Sequence, residues 1–385
     1  MRTHAILLSM AVFLCACGWF GEKNNIDYQA KYPSFYATFG DQLDLGNLPN
    51  YAHSSFPAYI AKDNTRENPI TDEGALLGRI LFYDKNLSSN KSISCSSCHQ
   101  QGRAFSDSAN VSDGVNGQTN RHSMRLINSR FSNEVNFFWD ERVSSLEEQT
   151  TKPIQDHNEM GFSGTMGDPG LQDLVERLSG IGYYADLFDF AFGNQEITEE
   201  KIQQALAQFV RSIQSFDSKY DEGRANASND RQHFFNFTAD ENAGKALFLN
   251  RRADGGAGCG GCHRPPEFDI DPNSLNNGIV GVFDSAIEED LTVTRSPSLR
   301  DLVDASGNLH GPLMHDASIT SLEALIDHYD SGIENNAGLD NRLKAGGNPQ
   351  RLNLTDVEKN QLIEFLKSLS GSDVYSNSKW SDPFP

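Results

Sequence analysis

Between Ile197 and Phe216 the apolar side chains Ile202, Ala205, Leu206, Phe209, Val210, Ile213 and Phe216 recur three or four positions apart, which predicts a helix with one buried face. Three capping boxes predict further helix starts: Thr238 with Glu241, Thr320 with Glu323, and Thr355 with Glu358. Few stretches alternate as strands do, so the fold class expected is mostly α. A polar run from Asp217 to Asn236, rich in Asn, Ser, Asp and Arg, interrupts the pattern and reads as a connection. A chain of 385 residues exceeds what one core serves, so two domains are expected, over residues 65–220 and 237–372, after a leader (1–16) and an N-terminal extension (17–64).

The leader sets the expected destination. Arg2 precedes an apolar stretch from Ala5 to Ala16, too short to span a bilayer but of signal-peptide length. Leu14-Cys15-Ala16-Cys17 resembles a bacterial lipoprotein cleavage box, which implies processing before Cys17 and a lipid anchor on its sulfur; ordinary secretion after a small residue is the alternative. Either route leads to the periplasm or cell envelope. No other segment has 18 consecutive apolar residues, so the remainder is expected to be soluble. The formal net charge of -21 argues against nucleic acid as a partner. It suits a small basic redox protein, although an acidic coat also serves solubility alone.

The candidate chemistry lies in a pattern that occurs twice: Cys95-Ser96-Ser97-Cys98-His99 and Cys259-Gly260-Gly261-Cys262-His263. Two thiols at this spacing reach the two vinyl groups of one porphyrin while the adjacent imidazole turns to the iron, so each reads as an attachment site for covalent haem c. Zinc fits poorly, since each motif offers three ligands where four are needed. The other two cysteines, Cys15 and Cys17, lie in the leader and leave no thiol for a disulfide framework. The Gly-rich run Asp254 to Gly261 allows backbone to approach the second porphyrin closely. No internal repeat is evident beyond the haem motif.

Other motifs surround these two. They are Gly78-Arg79-Ile80-Leu81-Phe82-Tyr83-Asp84, Ala104-Phe105-Ser106-Asp107, Phe138-Trp139-Asp140 and Ser145-Leu146-Glu147-Glu148-Gln149, then Pro153, Glu159-Met160-Gly161, Ser296-Pro297-Ser298-Leu299-Arg300 and His315-Asp316. In these the chain resembles the bacterial dihaem cytochrome c peroxidases, including the MauG-type branch, over roughly residues 65 to 370. The resemblance implies two cytochrome-c-like domains, each binding one covalent haem c. It implies that Trp139 lies between the haems as an electron path, and that Gln149, Pro153 and Glu159 form the distal pocket of the N-terminal haem. A carboxylate there suits peroxide cleavage, because one oxygen must lose a proton and the leaving oxygen must gain one.

Departures from the family pattern are informative. Many members hold a distal histidine in the loop that corresponds to Gly114-Val115-Asn116-Gly117, and this chain has none there. The N-terminal haem is therefore expected to have an open position, with His122 as the one rival ligand. His122 aligns with an asparagine that helps bind an interdomain calcium ion, for which His310 and Pro312 could still supply carbonyls. At the C-terminal haem, Tyr329 stands where the peroxidases carry a methionine, as in the MauG-type branch; Met314 and His328 are close enough to compete. The expected function is reduction of hydrogen peroxide at the N-terminal haem, with electrons from a cytochrome c or cupredoxin entering through the C-terminal haem. The alternatives are oxidation of residues on a partner protein, and a dihaem electron carrier without catalysis.

Overall fold

The computed structural model describes residues 26–133, 135–269 and 272–385. The leader and Cys17, on which the lipid-anchor expectation falls, lie outside the described residues. The structure is mostly helical. Its β content among the described residues is two small antiparallel sheets, Gly281–Val282 with Ser285–Glu289 and Lys344–Ala345 with Asn348–Pro349. Among the described residues no helix is long and apolar enough to cross a membrane.

The helix expected near Ile197 runs from Glu199 to Ser212, capped by the Thr198 hydroxyl, which accepts from Lys201 N. It buries Ile202, Ala205, Leu206, Phe209 and Val210. The helix stops short of Phe216 because Ile213 turns extended and the Asn128 side chain engages both backbone groups of Ser215. Its partner is helix Asp72–Tyr83, buried from Gly74 onward, and the two cross at Gly78, where an added Cβ would lie 1.9 Å from the Ala205 carbonyl oxygen. Phe82 and Phe209 then meet with ring centroids 5.1 Å apart.

The second half repeats this arrangement. Helix Ala239–Leu249 crosses helix Asp356–Lys367 at Gly244, whose added Cβ would lie 1.9 Å from the Gln361 carbonyl oxygen, and Phe248 meets Phe365 at 5.1 Å. Gly78-Arg79-Ile80-Leu81-Phe82 and Gly244-Lys245-Ala246-Leu247-Phe248 are therefore a second internal repeat, which corrects the expectation of none beyond the haem motif. The eye misses it because packing fixes only the Gly that admits the neighbouring backbone and the Phe one turn later.

Two capping boxes, at Thr238 and Thr355, start helices as expected. The third does not. Helix Leu322–Asp327 is capped by Ser321, whose hydroxyl accepts from Ala324 N, and this register buries Leu322, Leu325 and Ile326. The polar run 217–236 also differs from a plain connection. It holds helix Lys219–Ala225 under a Ser218–Asp221 capping box, and Asp221 makes a two-pronged pair with the fully buried Arg300 at 2.8 and 2.9 Å. Its polar residues are caps and counter-ions, while Tyr220 and Phe234 enter the second core.

Two hydrophobic cores result. The first gathers residues from Tyr32 to Ile213 and the second from Tyr220 to Leu369. The C-terminal tail crosses back to the first: Val374 and Trp380 are buried in it, the Tyr83 hydroxyl donates to Trp380 O at 2.7 Å, and Arg79 Nε donates to Ser381 O at 2.7 Å.

Candidate functional site

A one-turn helix, Cys95–Cys98, carries the first motif, and Ser94 and Ser97 close a capping box around it. The turn sets Cys95, Cys98 and His99 on the wall of a cavity of about 560 Å³. Ala104 and Phe105 adopt left-handed backbone angles, φ 56° and 57°, in the bend whose Phe105 carbonyl lies 3.0 Å from His99 Nδ1. A carbonyl only accepts, so Nδ1 carries the hydrogen and Nε2 keeps its lone pair for a metal. Burial holds His99 below its ordinary pKa, which favours that neutral form.

The same cavity is lined by Gln149, Pro153, Glu159 and Trp139. Tertiary folding thus brings together residues spread over more than sixty positions. Burial, reinforced by the charge of Asp156 and opposed by Arg142, pushes the Glu159 carboxyl up to about 7. The loop that lacks a histidine is fastened beside it. Val115 N donates to Glu159 O at 2.8 Å, and Gly114 lies so close that a Cβ would sit 2.0 Å from Asn158 O. Asn116 turns away from the cavity and donates to His157 O at 2.9 Å. His122 lines the cavity, yet its Nδ1 sits 3.0 Å from Ala109 O and its Nε2 3.3 Å from Ser106 Oγ. Burial drives its pKa down to about 4, so it is a neutral wall group tied at both nitrogens.

The second motif, Cys259, Cys262 and His263, lines another cavity, of about 450 Å³. Gly258, at φ 80°, turns the chain into it. Trp139, His122 and His315 line both cavities. Trp139 is 9% exposed, fixed by its Nε1 donating to His122 O at 2.8 Å, and packs edge-on to His315 with centroids 6.3 Å apart. Each cavity thus offers two thiols outside any disulfide, a half-buried imidazole and apolar side chains, a donor set that fits haem c.

A family model described as di-haem cytochrome c peroxidase matches residues 72–229. Methylamine utilization protein MauG of Methylophilus methylotrophus is 32% identical over 311 residues, covering 79% of this chain and 84% of that protein. The chain belongs to the di-haem cytochrome c peroxidase family. The cytochrome-c peroxidase IdrP1 of Pseudomonas sp. (strain SCT) is 28% identical over 351 residues, 80% of this chain and 83% of that one. Among solved structures, a MauG-like protein associated with microbial copper homeostasis is similar at TM-score 0.68 and 29% identity, covering 86% of this chain and 98% of that one.

Within this di-haem family the second cavity can be read further. Tyr329 and Met314 both line it, and one residue joins them: Asn277 Nδ2 lies 3.3 Å from the Tyr329 hydroxyl and 3.4 Å from Met314 Sδ. Burial raises the Tyr329 pKa, and the Asn277 contact opposes that rise. His328 stands apart, outside the lining, with its Nε2 3.0 Å from Asn277 O. Sequence reasoning missed Asn277, which lies far from Tyr329 along the chain and in no motif.

Of the groups expected to hold calcium, His310 and His122 are already engaged. The His310 carbonyl already accepts from the Arg103 guanidinium at 2.6 Å, so a cation occupies that lone pair, and both ring nitrogens of His122 have neighbours of their own. Among the described residues no group of three or more His, Cys, Asp or Glu side chains is arranged to hold a metal ion.

Proposed function

We propose that this protein reduces hydrogen peroxide in the first cavity with electrons delivered through the second. Two haem c groups supply the redox chemistry when bound, one held by Cys95, Cys98 and His99 and the other by Cys259, Cys262 and His263. Residues 65–220 would serve the first and 237–372 the second. The observation that carries the reading is Glu159: a half-buried carboxyl that desolvation raises to about 7, in the wall that also presents His99. Near neutral pH it can take a proton from one peroxide oxygen and return it to the departing one. Gln149, on the helix Leu146–Thr151, orients the peroxide by hydrogen bonding, and Pro153 shapes the pocket. With two electrons and two protons from outside, both oxygens leave as water.

Trp139 in the shared wall is the proposed electron path from a cytochrome c or cupredoxin. Trp139→Phe keeps most of the packing but makes the ring harder to oxidise, so electron transfer between the haems should slow several-fold while the fold persists. Flash-reduction kinetics check this, and an unchanged rate would leave Trp139 a packing element.

A second reading, oxidation of residues on a partner protein, is favoured by Tyr329 and its Asn277 contact, since a phenolate ligand lowers the potential of an iron centre. A non-catalytic carrier would need a second protein ligand in the first cavity; Asn116 faces away and the His122 nitrogens are held elsewhere, which speaks against both in that role. The leader supports export to the periplasm or cell envelope with an anchor at Cys17, to be tested by membrane fractionation of Cys17→Ser. To test the function, ferric protein is mixed with peroxide, both haem spectra are recorded, and reduced cytochrome c is added. Spectral change at the first haem followed by cytochrome oxidation is expected; no reaction with peroxide would end the proposal.

A further inference from the structure

The charges lining the two cavities differ in sign. The first presents Arg121 and Arg142 against Asp140, Asp156, Glu159 and Asp290. The second presents Arg125, Arg251, Arg252, Arg295 and Arg342 against Asp340 alone, in a protein whose net charge is -21. Arg342 and Asp340 neutralise each other at 2.6 Å, and Arg251 pairs with Asp254 at the surface. Arg125 is different. It reaches the second cavity from the first half of the chain, its Nη2 donates to Ser298 O at 2.9 Å, and its Nε is buried without a hydrogen-bond partner. No carboxylate of the described residues lies within ion-pair distance of it. The nearby Asp301 carboxylate, whose Oδ1 accepts from the Tyr375 hydroxyl at 2.7 Å and Gly371 N at 2.8 Å, acts on Arg125 through space without contacting it. Burial pulls the Arg125 guanidinium down to about 10. A cation in this state is poorly compensated by the protein and calls for an anion in the cavity.

We infer that Arg125, with Arg295 lining the same cavity, binds the propionate carboxylates of the haem in the second cavity. The inference rests on the proposal that this cavity holds haem, and not on peroxide chemistry. A guanidinium fork matches a carboxylate in two-point geometry, which a lysine cannot reproduce. Two consequences follow. The cofactor becomes a strut between the halves, attached covalently to the second and by charge to the first. In addition, positive charge near the iron favours its reduced form.

Arg125→Gln and Arg125→Lys test this by spectroelectrochemical titration of both haems. In Arg125→Gln the second haem should lose about tenfold in its reduction equilibrium relative to the first, about 59 mV for one electron, with the first haem unmoved. Arg125→Lys should retain most of the potential yet shift the propionate bending bands in resonance Raman, because charge is kept and the fork is lost. That band is readable even if the Gln variant fails to fold. An unmoved second-haem potential in Arg125→Gln, or an unmoved propionate band in Arg125→Lys, overturns the assignment. Absence of haem from the second cavity overturns both this inference and the proposed function, whereas normal potentials shifts without peroxide turnover would sink only the latter.

Discussion

Glu159→Gln is expected to lower peroxide turnover by about 10²–10⁴-fold, the usual worth of a positioned proton shuttle, with haem content unchanged. Gln keeps the shape of the side chain and cannot exchange the proton. The pH profile carries the more specific signature. The folded-state pKa is raised to about 7, chiefly by burial and then by Asp156. The carboxylate needed to accept a proton is therefore depleted below about pH 7, and wild-type turnover should fall about tenfold per pH unit there. The Gln variant should lose that limb. Stability runs in a linked direction: between the ordinary carboxylate range and pH 7 the native state binds more protons than the unfolded chain, so this group's contribution falls as pH rises through that window. Stopped-flow rates and denaturant titrations at several pH values check both. An acid limb that persists in Glu159→Gln would assign the titration to another group.

Gly244→Ala and Gly78→Ala are each expected to destabilise their own half by about 1–3 kcal/mol or more, because overpacked cores respond by shifting backbone. At both sites the new Cβ would stand 1.9 Å from a carbonyl oxygen of the crossing helix, an immovable neighbour. The helices must separate, and the aromatic pairs Phe82–Phe209 and Phe248–Phe365 open with them. Helix propensity alone favours Ala over Gly by about 1 kcal/mol, so a net loss can only come from the crossing. Denaturant unfolding followed by near-ultraviolet circular dichroism checks this. Stability equal to or above wild type would mean that the helices cross less closely than described.

The two sets of Cys, Cys and His were legible in the sequence because each is a pattern of five consecutive residues, and it occurs twice. The helix beginning at Glu199, and those capped by Thr238 and Thr355, were legible because their capping and periodicity are local. Local signals failed where two registers compete. Thr320 and Ser321 can each cap, and burial of Leu322, Leu325 and Ile326 chose Ser321. They failed again in the polar run 217–236, where composition cannot tell a solvated Asp from one paired with a buried Arg300.

What the sequence determined by itself was the chemistry: two sets of Cys, Cys and His, a candidate Glu159 and Gln149, and Trp139 as a candidate link. The tertiary structure decided which of these meet. Only the fold sets Trp139 in a wall common to both cavities, buries Glu159 enough to raise its carboxyl to about 7, ties both His122 nitrogens, and joins Tyr329 to Met314 through Asn277. It also carries Trp380 back into the first core and Arg125 across to the second cavity. The physical reason is range. Attachment, capping and periodicity act within a few residues, whereas desolvation and charge pairing depend on every group that long-range packing brings near, and no spacing along the chain encodes those distances.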